Sequence, residues 1–295
     1  MRGIATCYSG HAVTVSDSYC SGTANRAHVS PRLSSATPFA VTCAYRVKSS
    51  SEKVYFVALT WHTHQRTTIS IRDLETGSDS FQQLKRNGGT KTIYSFHFNA
   101  EVCWDFSRAR YENASPEPVK EFYLLLVVNS ELFLVLGTMD EAANVKNFKG
   151  RYRQAMFCNL VSRCEHFSGN TVYSTKTRFF SSGTVHDLTI KCAGDDDGSP
   201  ASPVLSVCID NKRICQVERL KWNFRGNQTI FLDGLLIDMM WDLHDWFFKL
   251  SSHGRAVFMF RTRNEKGSSR LWMEEKNLTE EEKPNEFSLL ICASR

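Results

Sequence analysis

This 295-residue chain contains no apolar run of the roughly 18 residues that a bilayer-spanning helix needs. Met1 to Gly22 lack the apolar core of a secretory signal, so a chain kept inside the cell is expected. None of the ten cysteines forms a Cys-x-x-Cys pair. Several lie in strand-like apolar runs, where a free thiol behaves as a small hydrophobe. Reduced thiols in the cytosol or nucleus follow, with peripheral attachment to a membrane as the variant. The sequons at Asn113, Asn227 and Asn277 are then chance matches. The basic excess is only +5, and the longest basic runs are pairs such as Lys85-Arg86 and Lys212-Arg213. A nucleic-acid-binding face is denser than that. There is no Gly-x-Ser-x-Gly elbow, Gly-x-Gly-x-x-Gly turn, phosphate loop or His-Glu-x-x-His helix. The common nucleotide, hydrolase and metalloprotease chemistries are set aside on that ground.

What is present reads as strands. With 42% hydrophobic and 23% charged residues, the chain has the balance of an ordinary globule. Val41 to Val47, Val54 to Trp61 and Thr67 to Arg72 are rich in β-branched and aromatic residues. From Tyr94 to Phe106 every second residue is apolar, which predicts one buried face, on either one bent strand or two strands joined by a tight turn. Asn129-Ser130-Glu131, Asp210-Asn211-Lys212 and Asp233-Gly234 are hairpin signals between apolar runs. Further strands are expected at Tyr123 to Val128, Leu132 to Leu136, Val172 to Phe180, Val185 to Cys192, Val204 to Ile209, Ile214 to Leu220, Arg255 to Arg263 and Glu286 to Cys292. Asp140 to Phe148 is the one plausible linking helix. The fold class expected is mainly β: an antiparallel sandwich or barrel made of two related β units.

An internal repeat supports the two units. At an offset of 137 residues, Thr92-Ile93-Tyr94 lies over Thr229-Ile230-Phe231, and Trp104-Asp105-Phe106 over Trp241-Asp242-Leu243. At an offset of 136, Ile69-Ser70-Ile71 lies over Leu205-Ser206-Val207. Two similar strand patterns in any all-β chain are the plain alternative. The domain reading is a Ser/Thr-rich arm over 1–38, a first β unit over 39–150 and a second over 151–295. Features in both copies, such as Trp104 and Trp241, are read as scaffold. Features of one copy are the candidates for a site.

Several blocks carry a resemblance. Lys221 to Phe231 (KWNFRGNQTIF), Trp241 to Phe247 (WDLHDWF), Leu160 to His166 (LVSRCEH), Val172 to Arg178 (VYSTKTR) and Ala256 to Arg263 (AVFMFRTR) resemble a plant family known as domain of unknown function 868. Cys7 to Ser16 and Gly137 to Ala142 do so too. The resemblance covers nearly the whole chain and implies a land-plant protein, but no activity. Cys164 departs from the family pattern by replacing a basic residue, which argues against anion binding there. Asn129-Ser130 departs from the more usual Asp-Gly.

Candidate chemistry comes from four places. Trp222, Asn223, Phe224, Arg225, Asn227 and Gln228 interleave aromatics with amides and a guanidinium, groups that bind sugars, phosphates or peptide carboxylates. A turn with inward-packed aromatics is the plainer reading. His244, Asp245 and Trp246 follow Asp242, a spacing that offers a general base with an orienting carboxylate. Read as a strand, the segment puts Asp242, His244 and Trp246 on one face and Asp245 on the other; read as a helix, it buries Leu243, Trp246, Phe247 and Leu250 and exposes Asp242, Asp245 and Lys249. Arg163, Glu165 and His166 form a charged cluster, with an internal ion pair as the plainer role. Cys7, His11 and Cys20, or Cys164 with His166, fall short of the four ligands of structural zinc. Asp195-Asp196-Asp197 is one acidic run, too little for calcium. No catalytic residue, metal or cofactor is assigned.

The function expected is a non-enzymatic β-sandwich module with a protein or peptide partner. One alternative is a domain that binds a small ligand or an anionic membrane surface. The other is an undescribed enzyme centred on His244. Nucleic acid is not expected as a partner. An open edge strand favours the first reading, and a closed pocket lined by Trp222, Arg225 and His244 favours the others.

Overall fold

The computed structural model describes residues 35–36, 38–63, 66–85, 87–112, 115–137, 150–169, 172–179, 183–193, 203–249, 254–263 and 287–294. Residues 1–34 and 37 of the arm, the helix expected over Asp140 to Phe148, the Cys7, His11 and Cys20 group and the Asp195-Asp196-Asp197 run lie outside them.

A two-residue strand β1 (Ser35–Ala36) leads into a meander of β2 (Ala40–Lys48), β3 (Val54–His62), β4 (Arg66–Asp73) and β5 (Asp79–Leu84). A hairpin of β6 (Gly88–Tyr94) and β7 (Asn99–Asp105) follows, then a small ribbon of β8 (Arg110–Tyr111) and β9 (Pro118–Lys120). Next come β10 (Tyr123–Val128), β11 (Glu131–Gly137), β12 (Arg153–Gln154) and the long β13 (Phe157–Ser168). A second meander holds β14 (Val172–Thr177), β15 (His186–Ala193), β16 (Val204–Ile209) and β17 (Lys212–Val217). The chain then forms the hairpin of β18 (Arg225–Leu232) and β19 (Leu235–Asp242), the short helix α1 (His244–Phe248), β20 (Arg255–Thr262) and β21 (Ser288–Ser294). The chain is therefore mainly β, as its composition predicts.

Two compact units result. Among the described residues, the first draws on 36–169 and 287–294, and the second on 35 and 172–263. In the first unit one sheet runs β21-β13-β2-β3-β4-β5 and another β12-β11-β10-β7-β6. Most neighbours are antiparallel, while β13 and β21 run parallel. The two sheets face one another across rings: Tyr55 lies 5.0 Å from Phe133, and Trp61 lies 5.4 Å from Phe106, centroid to centroid. Val57, Leu59, Ile69 and Ile71 from one sheet, and Val102, Leu124 and Leu126 from the other, are buried in the same core. β10 is buried on both faces, as a continuous Leu/Val run should be. Both units are open sandwiches. In the second unit β14-β15-β16-β17 form one sheet and β18-β19-β20 follow one another in another. Tyr173 against Phe258 and Phe179 against Phe260 pack them together.

All three hairpin signals are turns. Asn129 and Ser130 (φ 49° and 66°), Asp210 and Asn211 (49° and 63°), and Asp233 and Gly234 (51° and 80°) take the paired left-handed conformation of type I′ turns. The alternation from Tyr94 to Phe106 needs a correction. Phe98, Ala100, Val102, Trp104 and Phe106 are buried, but Tyr94 and Phe96 are exposed and Ile93 is buried instead. The cause is register. Ile93 pairs with Ala100, so the odd residues of β6 share a face with the even residues of β7. The tight turn at Ser95, whose N–H donates to the Phe98 carbonyl, breaks the period.

The repeat positions coincide in geometry. Gly89 stands opposite Trp104, and Gly226 opposite Trp241. Trp104 Nε1 donates to the Lys85 carbonyl at 3.0 Å, and Trp241 Nε1 to the Asn223 carbonyl at 2.9 Å. Phe106 N–H donates to the Asn87 carbonyl, and Leu243 N–H to the Phe224 carbonyl. Asp105 and Asp242 each accept a backbone N–H two residues on, from Ser107 and His244.

Candidate functional site

The hairpin of β18 and β19 positions the first candidate. Its two-residue turn makes Leu232 and Leu235 the closing pair, which exchanges hydrogen bonds. Even-numbered residues of β18 therefore bond to β19. The bond from Leu243 N–H to the Phe224 carbonyl (2.8 Å) keeps that phase to the far end. Leu236, opposite Phe231, gives its carbonyl to Arg263 beyond β20 instead. The odd residues Arg225, Asn227, Thr229 and Phe231 thus direct their backbone N–H and C=O groups away from β19. β18 is the terminal strand of its sheet, so among the described residues no strand pairs with that edge.

The Trp222 to Gln228 segment does not form one surface. Trp222 is 83% exposed. Asn223 turns back, its Nδ2 donating to the Glu218 carbonyl at 2.9 Å. The Phe224 ring packs on His244 (5.5 Å) and Phe248 (5.4 Å). Arg225 Nε donates to Asp242 Oδ2 at 2.8 Å across the outer face. Asn227 is exposed on that face, while Gln228 points inward and donates to the Ile214 carbonyl. Phe231, which sequence reasoning left out of the candidates, is 73% exposed at the turn end of the strand.

His244, Asp245 and Trp246 lie in α1 and take the helical alternative. Leu243 and Trp246 are buried, and Asp245 pairs with Lys249 one turn on. The lysine hydrogen bond, and then that of His244, hold the Asp245 carboxyl below the usual range. His244 gives its N–H to Asp242 and faces Asp245 at 3.2 Å, its ring between Phe224 and Phe248. Both carboxylates beside His244 also hold a cation, Asp242 pairing with Arg225 and Asp245 with Lys249.

β13 splits the second candidate between two faces. Arg163 and Glu165 face the core, opposite Cys43 and Val41. Arg163 reaches Glu117 and Glu165 at 2.6 Å each, with Cys43 Sγ 3.6 Å away. Burial alone lowers the Arg163 pKa, but the two carboxylates outweigh it and raise it. Burial, and then the Glu117 charge, push the Cys43 thiol up to about 12, so it is no nucleophile near neutrality. His166 faces the other way, with Cys164. Cys164 Sγ lies 3.4 Å from His166 Nε2 and 3.8 Å from Cys292 Sγ. The hydrogen bond with Cys292, and then burial, push the Cys164 thiol up. This trio is the set of described residues with the geometry to hold a metal. Cys292 stands 128 residues from Cys164, so no local spacing announces it.

A third cluster was missed by sequence reasoning. His186, only 6% exposed, bonds Asp210 through Nδ1 (2.7 Å) and Asp233 through Nε2 (2.8 Å). Both aspartates come from the tight turns noted above. The histidine thus ties the hairpin of β16 and β17 to that of β18 and β19. A carboxylate at each ring nitrogen favours the protonated form. Burial alone lowers its pKa, but the bonds and charges of Asp210 and Asp233 outweigh that and raise it. Both carboxyls are lowered in turn, first by the His186 bond. The only signal in the sequence was two aspartates opening two turns.

Among the described residues no helix is long and apolar enough to cross a membrane. A family model described as "Plant protein of unknown function (DUF868)" matches residues 36–295. No curated protein and no solved structure matches the chain.

Proposed function

The chain belongs to the DUF868 family of plant proteins of unknown function, and we propose that it is a non-enzymatic β-sandwich module that takes up a peptide as an added strand along β18. The observation that carries this reading is the open edge of β18, bordered by the exposed rings of Trp222 and Phe231. Strand addition uses backbone bonds for affinity and alternate side chains for choice of partner. The odd residues of β18 offer those backbone groups, with Arg225, Asn227, Thr229 and Phe231 beside them. The equivalent edge strand of the first unit, β6, also ends in an exposed ring, Tyr94. We read the two hairpins as copies of one ancestral element, which makes the open edge a property of the scaffold and Trp222 with Arg225 the local addition.

Two features speak for a peptide over an anionic surface or a reaction. Arg225 and Arg263 on the outer face are each engaged by a carboxylate, Asp242 and Asp238. His244 is held in an aromatic packing cluster. Peptides selected from a displayed library on the full-length chain test the proposal. Trp222→Ala and Phe231→Ala each weaken the selected peptides by about tenfold or more, the scale of an aromatic hot spot. Both rings are exposed, so the melting temperature stays put. Unchanged affinity in both variants would sink the assignment.

A further inference from the structure

β13 and β21 run parallel, with Cys164 opposite Leu290 and His166 opposite Cys292. Successive side chains alternate faces. On the core side lie Arg163 and Glu165 of β13 and Leu289, Ile291 and Ala293 of β21, the last three all buried. Cys164, His166 and Cys292 therefore share the outer face. Their donor atoms all lie within 4.8 Å of one another.

Two of the three donor spacings match a metal geometry. In a tetrahedral zinc centre with bonds of about 2.3 Å to sulfur and about 2.0–2.1 Å to nitrogen, the sulfur–sulfur edge is about 3.8 Å and the sulfur–nitrogen edge about 3.5 Å. The corresponding distances here are 3.8 Å between the two Sγ atoms and 3.4 Å from Cys164 Sγ to His166 Nε2. We propose that Cys164, His166 and Cys292 bind one zinc(II) ion. Two thiolates and an imidazole suit this borderline-soft ion and not magnesium or calcium. Three protein donors leave the fourth position to water or to an exogenous ligand. The donors sit on paired strands and not on a loop, so the site is set before the ion arrives. The Phe39 ring, 6.0 Å from the His166 ring, lies beside it.

The site is separate from the β18 edge, so its test is independent of peptide binding. The full-length chain, stripped of metal and kept reduced, is titrated with zinc against a chromophoric chelator and with cobalt(II) alone. The expected result is one metal per chain and a tetrahedral cobalt spectrum with thiolate-to-metal charge transfer. C164S, C292S and H166A each weaken binding beyond the roughly 10–100-fold that loss of an outer-shell partner costs. C208S, which removes a thiol of the second unit, leaves binding unchanged. A cobalt complex without the thiolate band overturns the proposal. So do ligand variants that bind as the parent does, and a Cys164–Cys292 disulfide with no metal in the natively purified chain. The cobalt spectrum of the parent chain decides the matter even if a variant fails to fold.

Discussion

Gly226 shows how tightly single residues are fixed. A Cβ there would lie 2.2 Å from the Trp241 ring, whereas one at Gly89 would lie 3.1 Å from the Trp104 ring. Trp241 is 5% exposed and pinned by its indole bond to Asn223, so it has nowhere to yield. Gly226→Ala is expected to cost about 1–3 kcal/mol by overpacking. Gly89→Ala should stay within about 1 kcal/mol of the parent, because the alanine also stiffens the unfolded chain. Hydrogen exchange followed by mass spectrometry, which resolves the two units, checks both. Equal losses would show that the glycines do not share the close approach in different degree. At this scale the sequence was readable in part. The Trp-Asp pairs stood out because they recur, and each Trp is buried with its indole bonded to a backbone carbonyl. The Trp222 to Gln228 segment looked like one surface because its residue types are those of binding loops. In a strand, however, side chains alternate, which sends Gln228 inward and Arg225 outward. Phe231 escaped notice because an apolar residue in a strand is first read as core.

At the scale of elements, turns were legible and β13 was not. Left-handed pairs at Asn129-Ser130, Asp210-Asn211 and Asp233-Gly234 follow from residues that tolerate positive φ. β13 is the longest strand, yet its core face carries Arg163 and Glu165, so no hydrophobic alternation marks it. The ion pair of Arg163 with Glu165, joined by Glu117 from the loop before β9, makes that face compatible with burial. The junction of two turns at His186 leads to a pH prediction. Its folded pKa is raised above the ordinary value of about 6.5. Its contribution is therefore complete below about pH 6.5 and is lost as pH rises through the folded pKa. Asp210 and Asp233 are lowered, so their contribution is present above about pH 3.9 and is lost as pH falls through their folded values. Calorimetry of the parent and of His186→Asn across pH should show a gap in melting temperature that is widest between those limits and closes on the alkaline side. A gap that does not change with pH would mean that the ring acts by packing alone.

At the scale of the whole molecule, each unit contains a four-strand meander followed by a hairpin whose first strand ends its sheet among the described residues. The offset read from a handful of identities pairs positions that also match in register and indole bond, Gly89 with Trp104 and Gly226 with Trp241. The grouping of Cys164 with Cys292 was harder to read, because their strands lie 128 residues apart in the chain. The claim that β18 receives a peptide strand rests on the outward N–H groups of its odd residues. Proline at Asn227 removes one of these without touching the ladder to β19, and edge strands tolerate it. The deciding measurement is the affinity of selected peptides for the Asn227→Pro chain, set beside the parent at equal melting temperature. Binding is expected to fall by about tenfold or more, since a lost backbone bond leaves its partner unsatisfied. Peptides that bind the proline variant as tightly as the parent would contradict strand addition at β18.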